Sequence, residues 1–355
     1  MISVFDHPWY GALFGDDAAA ALWSAGAQRR HYLAFEAAYS RALGSAGLVG
    51  VDAAERAARA IADNPPDDAT LARGTARDGL PVPALVAALR DAAGADAGAV
   101  HTGTTSQDVL DTALALTLRD QSDLLATRLG ALQDRFAALS ARFGSATLMG
   151  RTRMQAALPV TAAHRIDSWA RPLADHAARL AALRPQVELV QLAGPVGTGD
   201  SMDGHAPRMA RQIAAELGLH VAPACWHTRR DGLAEFAGLL SLITGSLGKM
   251  GQDVALMALQ GIDEITLTGG GSSSAMPHKQ NPILAELLVT LARFNATQLS
   301  GLHQALVHEQ ERSGSAWALE WMLLPPMAVA TARALAAALD ICDRVTRIGP
   351  GRTDC

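Results

Sequence analysis

Aromatic residues are scarce in this chain: Phe, Trp and Tyr together make up 5% of 355 residues. Sheets draw on aromatic and β-branched side chains, whereas Ala and Leu favour helices. Ala and Leu dominate here, so the composition points to an all-α fold. Charge is also sparse, at 18% with a net value of -5, which gives no footing for nucleic acid or an anionic membrane surface. No uninterrupted apolar run approaches the roughly 18 residues that a membrane span requires. The opening stretch MISVFDHPWYG lacks a basic region followed by an apolar one, so it does not read as a secretory leader. The three cysteines, Cys225, Cys342 and Cys355, are far apart and odd in number. That usage suits reduced thiols in a cytoplasmic protein better than a disulfide framework.

Proline is missing from Ser106 to Phe143, and only one glycine interrupts that stretch. Its apolar residues Leu125, Leu129, Leu132, Phe136, Leu139 and Phe143 recur in steps of four and three, the seam of a helix that packs on another helix. The same pattern recurs at Leu233, Phe236, Leu240, Ile243, Leu247, Met250, Val254 and Met257. It returns at Leu284, Leu287 or Leu288, Leu291 and Phe294. Two more long helices are predicted: about 159–192, bent by Pro172 and Pro185, and about 317–347, kinked at Pro325 and Pro326. Helices this long form an elongated bundle. The first hundred residues differ. Helical stretches at 17–47 and 52–62 are separated by Asn-Pro-Pro (64–66) and Gly-Leu-Pro-Val-Pro (79–83). The reading is therefore an N-terminal helical domain over 1–100, a long-helix domain over 101–345 and a short tail over 346–355, with no strand-rich region and no internal repeat.

Three polar clusters interrupt the stiff helices. The first, His101-Thr-Gly-Thr-Thr-Ser-Gln-Asp108, supplies Thr104, Thr105 or Ser106 as a cap for the following helix, with Asp108 suited to its first turn. Beyond simple capping, hydroxyls and free N–H groups at a helix start can hold a carboxylate. The second, Gly150-Arg-Thr-Arg-Met-Gln155, reads either as a surface turn or as an anion grip, since the planar guanidinium matches a carboxylate. The third, GGGSSSAMPHKQNP over 269–282, resembles a linker at first sight. Lys279 is followed by Gln280, so it is not a Walker phosphate loop. Asn281-Pro282 is a good helix start, with Asn as cap and Pro in the first turn. The loop thus brings Lys279 and Asn281 to the positive end of a helix. No spacing of His, Cys and carboxylates matches a metal site, and no cofactor is indicated.

Together, Ser273-Ser274-Ala275-Met276-Pro277 followed by Lys279, Asn281 and Pro282 resembles the signature of the fumarase/aspartase superfamily. The other two clusters match its other two shared regions, in order and at suitable distances, and the resemblance covers nearly the whole chain. It implies a homotetramer with a 20-helix core and active sites each built from three subunits. It also implies elimination next to a carboxylate through an aci-carboxylate carbanion, or the reverse addition. The first serine of the loop pattern, Ser273, handles the carbon-bound proton, with Ser272 and Ser274 as neighbouring alternatives. The resemblance implies a site of Ser273, Lys279 and Asn281 with His101, Thr105, Ser106, Gln107, Thr152, Arg153, Gln155, Ser272, Ser274, Met276 and Glu286 around the substrate.

Within the superfamily, HTGTTSQDVLDT (101–112), GRTRMQAALPVT (150–161) and HEQERSGSAWALEW (308–321) resemble a lactonising, cycloisomerase branch whose substrate is a small tricarboxylate. Many superfamily lyases carry His after Gly-Arg-Thr, assigned in the nitrogen-releasing members as the acid for the leaving group. Here Arg153 stands there, and arginine does not shuttle protons. An intramolecular carboxylate attack needs no general base, because the nucleophile is already ionised near neutral pH. Arg153 is then free to hold an extra carboxylate. Glu286 matches the glutamate that orients that His, and pairs with Arg153 or another cation. A succinyl-type lyase and a non-enzymatic bundle protein are the alternatives; Arg153 argues against the first and the retained serine loop against the second. His101, His164, His205, His278 and His308 are further candidate acids, with His164 read as a packing residue. The chain is expected to be a short form that lacks most of the family's C-terminal helical domain.

Overall fold

A computed structural model describes residues 3–269, 271 and 280–350. Five long helices form its body: α7 (Ser106–Phe143), α8 (Ala162–Val187), α10 (Asp231–Met257), α11 (Ile283–Gln304) and α12 (Ser315–Arg344). The seams read from the sequence face inward. Leu125, Leu129 and Leu132 of α7 and Phe236, Leu240, Ile243 and Leu247 of α10 are fully buried. Truncating one such leucine to alanine removes about 2–5 kcal/mol.

The helices alternate in direction. Arg230, just before α10, binds Asp111 near the start of α7 and Glu320 near the start of α12. Thr112 of α7 binds Gln191, just past the end of α8. These contacts define one end of the bundle. At the other end, Glu264 accepts from Met149 N and Gly349 donates to the Glu264 carbonyl. Thus α7, α10 and α12 run one way and α8 and α11 the other. The approach of α10 to α11 depends on glycine: a Cβ at Gly251 would lie 2.4 Å from the Ala285 carbonyl oxygen.

The remaining helices lie against the side of this bundle or cover one end of it. They are α1 (Gly11–Phe14), α2 (Asp17–Leu22), α3 (Ala25–Ala46), α4 (Val51–Asp63), α5 (Asp68–Asp78), α6 (Val82–Ala93) and α9 (Ala206–Leu217). Ser24 caps α3 through Ala27 N, which splits the predicted 17–47 helix in two. A second core gathers Phe35, Tyr39, Ile61, Leu85 and Leu89 with Val109 and Leu116 of α7 and Met209 and Ile213 of α9. It therefore runs past residue 100, and α9 returns to it from far along the chain.

Strands are more numerous than the sequence suggests. β1 (Thr147–Thr152) and β2 (Gln155–Thr161) form an antiparallel hairpin, β3 (Leu189–Val190) pairs with β4 (His220–Val221), and β5 (Ile265–Leu267) pairs with β6 (Val345–Ile348). Residues 346–348 thus belong to a strand rather than to a tail. One helix also departs from the expectation about membrane spans. A window of 18 residues in α12 has mean hydropathy 1.5, enough by length and composition to cross a membrane, and 61% of it is buried inside the chain. Alanine-rich stretches reach such an average without any unbroken run of large apolar residues.

Candidate active site

The start of α7 carries the densest polar network among the described residues. Thr105 is the N-cap. Its backbone N–H and the Thr104 hydroxyl both donate to Asp108 Oδ2, at 3.2 and 2.9 Å. Asp108 is fully buried and also accepts from Ala193 N, Gly194 N and His227 Nε2, at 3.0, 2.9 and 2.9 Å. A buried carboxylate is tolerable only with such a set of donors. Asp108 thereby welds the 193–194 turn and His227 to the helix start.

Beside it, Arg312 donates to Thr105 Oγ1 at 2.9 Å, Gln107 Oε1 at 3.0 Å and the Pro195 carbonyl at 3.1 Å. Arg312 remains exposed, so a guanidinium stands at the positive end of a long helix, where an anion is favoured. The candidate ligands here separate into two kinds. Ser106, in the first helical turn, is half-exposed beside that cation. Gln107 is fully buried, and its amide is committed to Asp111, the His227 carbonyl and Arg312; it positions the arginine from inside. His101 has φ 58° and donates through Nδ1 to Glu36 at 2.5 Å.

Below this layer, Arg230 is shared by two buried carboxylates, Asp111 at 2.8 Å and Glu320 at 2.5 Å. Burial works against the Arg230 charge, but the two carboxylates outweigh it and hold the guanidinium above its usual range. Burial alone pushes Glu320 up, yet the nearby His308 and the hydrogen bonds from Arg230 prevail and hold it below the usual carboxylate value. Arg230 and His227 were not singled out from sequence, and Arg312 and Glu320 entered only as part of the 308–321 stretch, with no role assigned. The charged run His308 to Arg312 between two helices was the available signal.

The second cluster is at the far end. Thr152 pairs with Gln155, leaving Arg153 and Met154 as the two-residue turn of the hairpin, with φ 48° and 66°. Two positive values fit the mirror-image turn that hairpin twist prefers, for which Asn-Gly is the usual sequence. Side-chain residues in that region cost about 1–3 kcal/mol each. Residues 151–159 are exposed on both faces of the hairpin, including Met154 and Leu158 at 71% and 75%. Arg151, two residues before the turn, is tied to Glu264, as is Arg165. Among the described residues, neither Arg153 nor Glu286 takes part in an ion pair, so the expected Arg153–Glu286 pair does not form within one chain. His164, read as a packing residue, is exposed in the first turn of α8.

The third cluster begins at the same far end. Gly271 and Asn281 exchange two backbone hydrogen bonds of 3.0 Å. α11 starts at Ile283 with Pro282 in the cap position and no side-chain cap bond. Asn281 therefore does not cap the helix as expected: its backbone is paired across to Gly271, which draws it away from the helix end. Glu286 is exposed in the first turn. Ser272, Ser273, Ser274, Met276, His278 and Lys279 lie outside the described residues.

Distance sets the limit on what one chain can do. α7 has 38 residues, hence a length of about 57 Å at 1.5 Å per residue. The Thr105–Ser106 cluster is at its start and the hairpin follows its end. A six-residue strand reaches only about 20 Å, so even folded back along α7 the Arg153 turn stays well short of Thr105. Within a chain, the first cluster cannot meet the other two.

A family model described as Lyase matches residues 10–296. A 3-carboxy-cis,cis-muconate cycloisomerase of Acinetobacter baylyi is 34% identical over 342 residues, covering 94% of this chain and 76% of that protein. One from Pseudomonas aeruginosa is 37% identical over 318 residues, covering 88% and 69%. Among solved structures, the 3-carboxy-cis,cis-muconate lactonizing enzyme from Pseudomonas putida superposes with a TM-score of 0.90 at 34% identity, covering 96% of this chain and 77% of that one.

Proposed function

The chain belongs to the lyase family of the fumarase/aspartase superfamily, and from that membership we propose that it closes 3-carboxy-cis,cis-muconate to 4-carboxymuconolactone, a step in protocatechuate degradation. The observation that carries the reading is Arg153, a permanent cation in a left-handed turn position at an exposed hairpin tip. A strained turn held by a non-glycine residue calls for a functional reason. A third carboxylate on the substrate supplies one. The residue that replaces His at this point removes the proton-transfer group a nitrogen-releasing lyase uses, while lactonisation does without it.

The chemistry follows from the charges. A substrate carboxylate oxygen adds to a carbon–carbon double bond of the same molecule and forms the lactone C–O bond. The displaced π electrons move to the carbon next to another carboxylate, which carries the charge as an aci-carboxylate. Ser273 then gives that carbon its proton and recovers one from solvent. Lys279 and Asn281 hold the developing charge, and the α7 start with Arg312 and Ser106 holds a second carboxylate; such preorganised charge is the largest part of the rate. Because the clusters are too far apart within one chain, we assign the complete site to several copies: four chains of five long helices give a 20-helix homotetramer, and the two-faced exposure of the hairpin supports its burial against another copy.

The test is direct. Purified protein is given 3-carboxymuconate, fumarate, adenylosuccinate and argininosuccinate separately, and the conjugated chromophore is followed. Loss of the carboxymuconate diene is the expected outcome; turnover of adenylosuccinate without carboxymuconate overturns the reading. Arg153→Ala raises KM for the tricarboxylate, and unchanged KM and kcat would remove Arg153 from the site.

A further inference from the structure

Next to the α7 start lies a chain of three side chains that the lactonisation does not use. Asp108 Oδ1 is 2.9 Å from His227 Nε2. His227 is 2% exposed, and its other ring nitrogen, Nδ1, is buried with no nitrogen or oxygen partner. That nitrogen and the sulfur of Cys225 both lie beside Gly197, and the sulfur receives a hydrogen bond from Gln191 Nε2 at 3.5 Å. Above the sulfur is Gly197, with φ 83°; a Cβ there would come within 3.1 Å of Sγ and 3.9 Å of His227 Nδ1. A side chain at 197 would cover the sulfur, and glycine leaves it open. Cys225 is half-buried and carries no disulfide.

We propose that Cys225 is a modification site, a thiolate held by the Asp108–His227 pair and oxidised by hydroperoxides to a sulfenic acid. In the step, sulfur attacks one peroxide oxygen and the O–O bond breaks. Sulfur loses two electrons to the peroxide, and the departing hydroxide takes the His227 proton to leave as water. The arrangement is that of an activated nucleophile: thiol, base, and a third group that orients the base.

The charges around the pair agree. Burial draws His227 down, but Asp108 and Cys225 outweigh it and raise the imidazole to about 9. Burial likewise pushes the Cys225 thiol up, and the neighbouring His227 together with Gln191 reverses this to hold it below its usual value. Asp108 and Asp111 act on the imidazole from α7, Tyr39 and Glu36 of α3 lie near Asp108, and Arg230 joins Asp111 to Glu320. Cys342, by contrast, is buried on α12 and pushed up to about 12, and so serves as an internal reference. An oxygen added at Cys225 presses on the 194–199 turn, which supplies Gly194 N to Asp108 and the Pro195 carbonyl to Arg312. Modification therefore reaches the end of α7.

The full chain is treated with dilute hydrogen peroxide, trapped with dimedone and mapped by mass spectrometry. Cys225 is expected to be tagged severalfold faster than in the urea-unfolded chain, because more of it is thiolate. Cys342 stays untagged, and His227→Gln abolishes the advantage. Equal tagging of Cys225 in folded and unfolded chains overturns the proposal, as does an unchanged rate in a folded His227→Gln protein. Should that variant not fold, the pH profile of iodoacetamide alkylation decides on the wild-type chain. A midpoint for Cys225 below that of the unfolded chain supports the proposal, and one at or above it refutes it. None of these readouts depends on which substrate the enzyme turns over.

Discussion

Arg230 is the cation on which the largest buried charge cluster balances. Its replacement by Met keeps much of the volume but leaves Asp111 and Glu320, 1% and 2% exposed, without the cation they share. Stranding buried charge in this way costs about 3–5 kcal/mol. Unfolding entropy near 2.1 cal/mol/K per residue gives about 0.75 kcal/mol/K for 355 residues. Arg230→Met should thus lower Tm by about 4–7 °C at fixed protein concentration near pH 7. The assay is a thermal melt by circular dichroism over a pH series. In the variant both carboxyls have folded pKa values above their unfolded ones, so the deficit is full at neutral pH and shrinks as pH falls through those raised values. A second arm replaces all three residues by apolar ones of similar size, which should recover most of the loss because no charge remains to be desolvated. A Tm within 1 °C of wild type, or a deficit that ignores pH, would refute the reasoning.

Three further outcomes can be checked. His227 is raised from 6.5 to about 9, so its stabilising contribution is complete below pH 6.5 and is lost as pH climbs toward 9; urea titrations should show up to about 3 kcal/mol disappearing over that window, and His227→Gln should flatten the curve. Gly251→Ala gains up to about 1 kcal/mol of helix propensity but drives a Cβ against the Ala285 carbonyl, an overpacking cost of about 1–3 kcal/mol, so the net effect in a denaturant titration should be destabilising. Ser273→Ala should lower kcat by about 10²- to 10⁴-fold with an unaltered helical spectrum, and near-normal turnover would move the proton donor to Ser272, Ser274 or elsewhere.

The bundle was legible because its signal is periodic and long. α7 begins and ends where proline-free helical spacing begins and ends, and the α10 seam is buried residue by residue. The hairpin was not legible, because Gly150–Thr161 shows no alternation: both its faces are exposed in one chain, so no buried side imposes a period of two. The polar clusters were recognisable by composition, but not the way Gln107 turns inward to hold Arg312. Nor was the convergence of Asp108 and Asp111 with His227 and Arg230, more than a hundred residues further along, which meet because the start of α10 lies at the same end of the bundle as the start of α7. Pro282 was read as the first residue inside α11 and sits in its cap position instead, because pairing with Gly271 takes the Asn281 backbone out of the helix.

The length of α7 has a consequence for how activity responds to concentration. If one chain holds its two halves of the chemistry toward opposite ends of a helix about 57 Å long, a lone copy is folded yet chemically incomplete. Dilution should then silence turnover before it melts a single helix, and the midpoint of that loss would measure the affinity between copies rather than the stability of any one. On the proposed assignment of the site to several copies, catalytic capacity would be a collective property, with the long helix as its spacer.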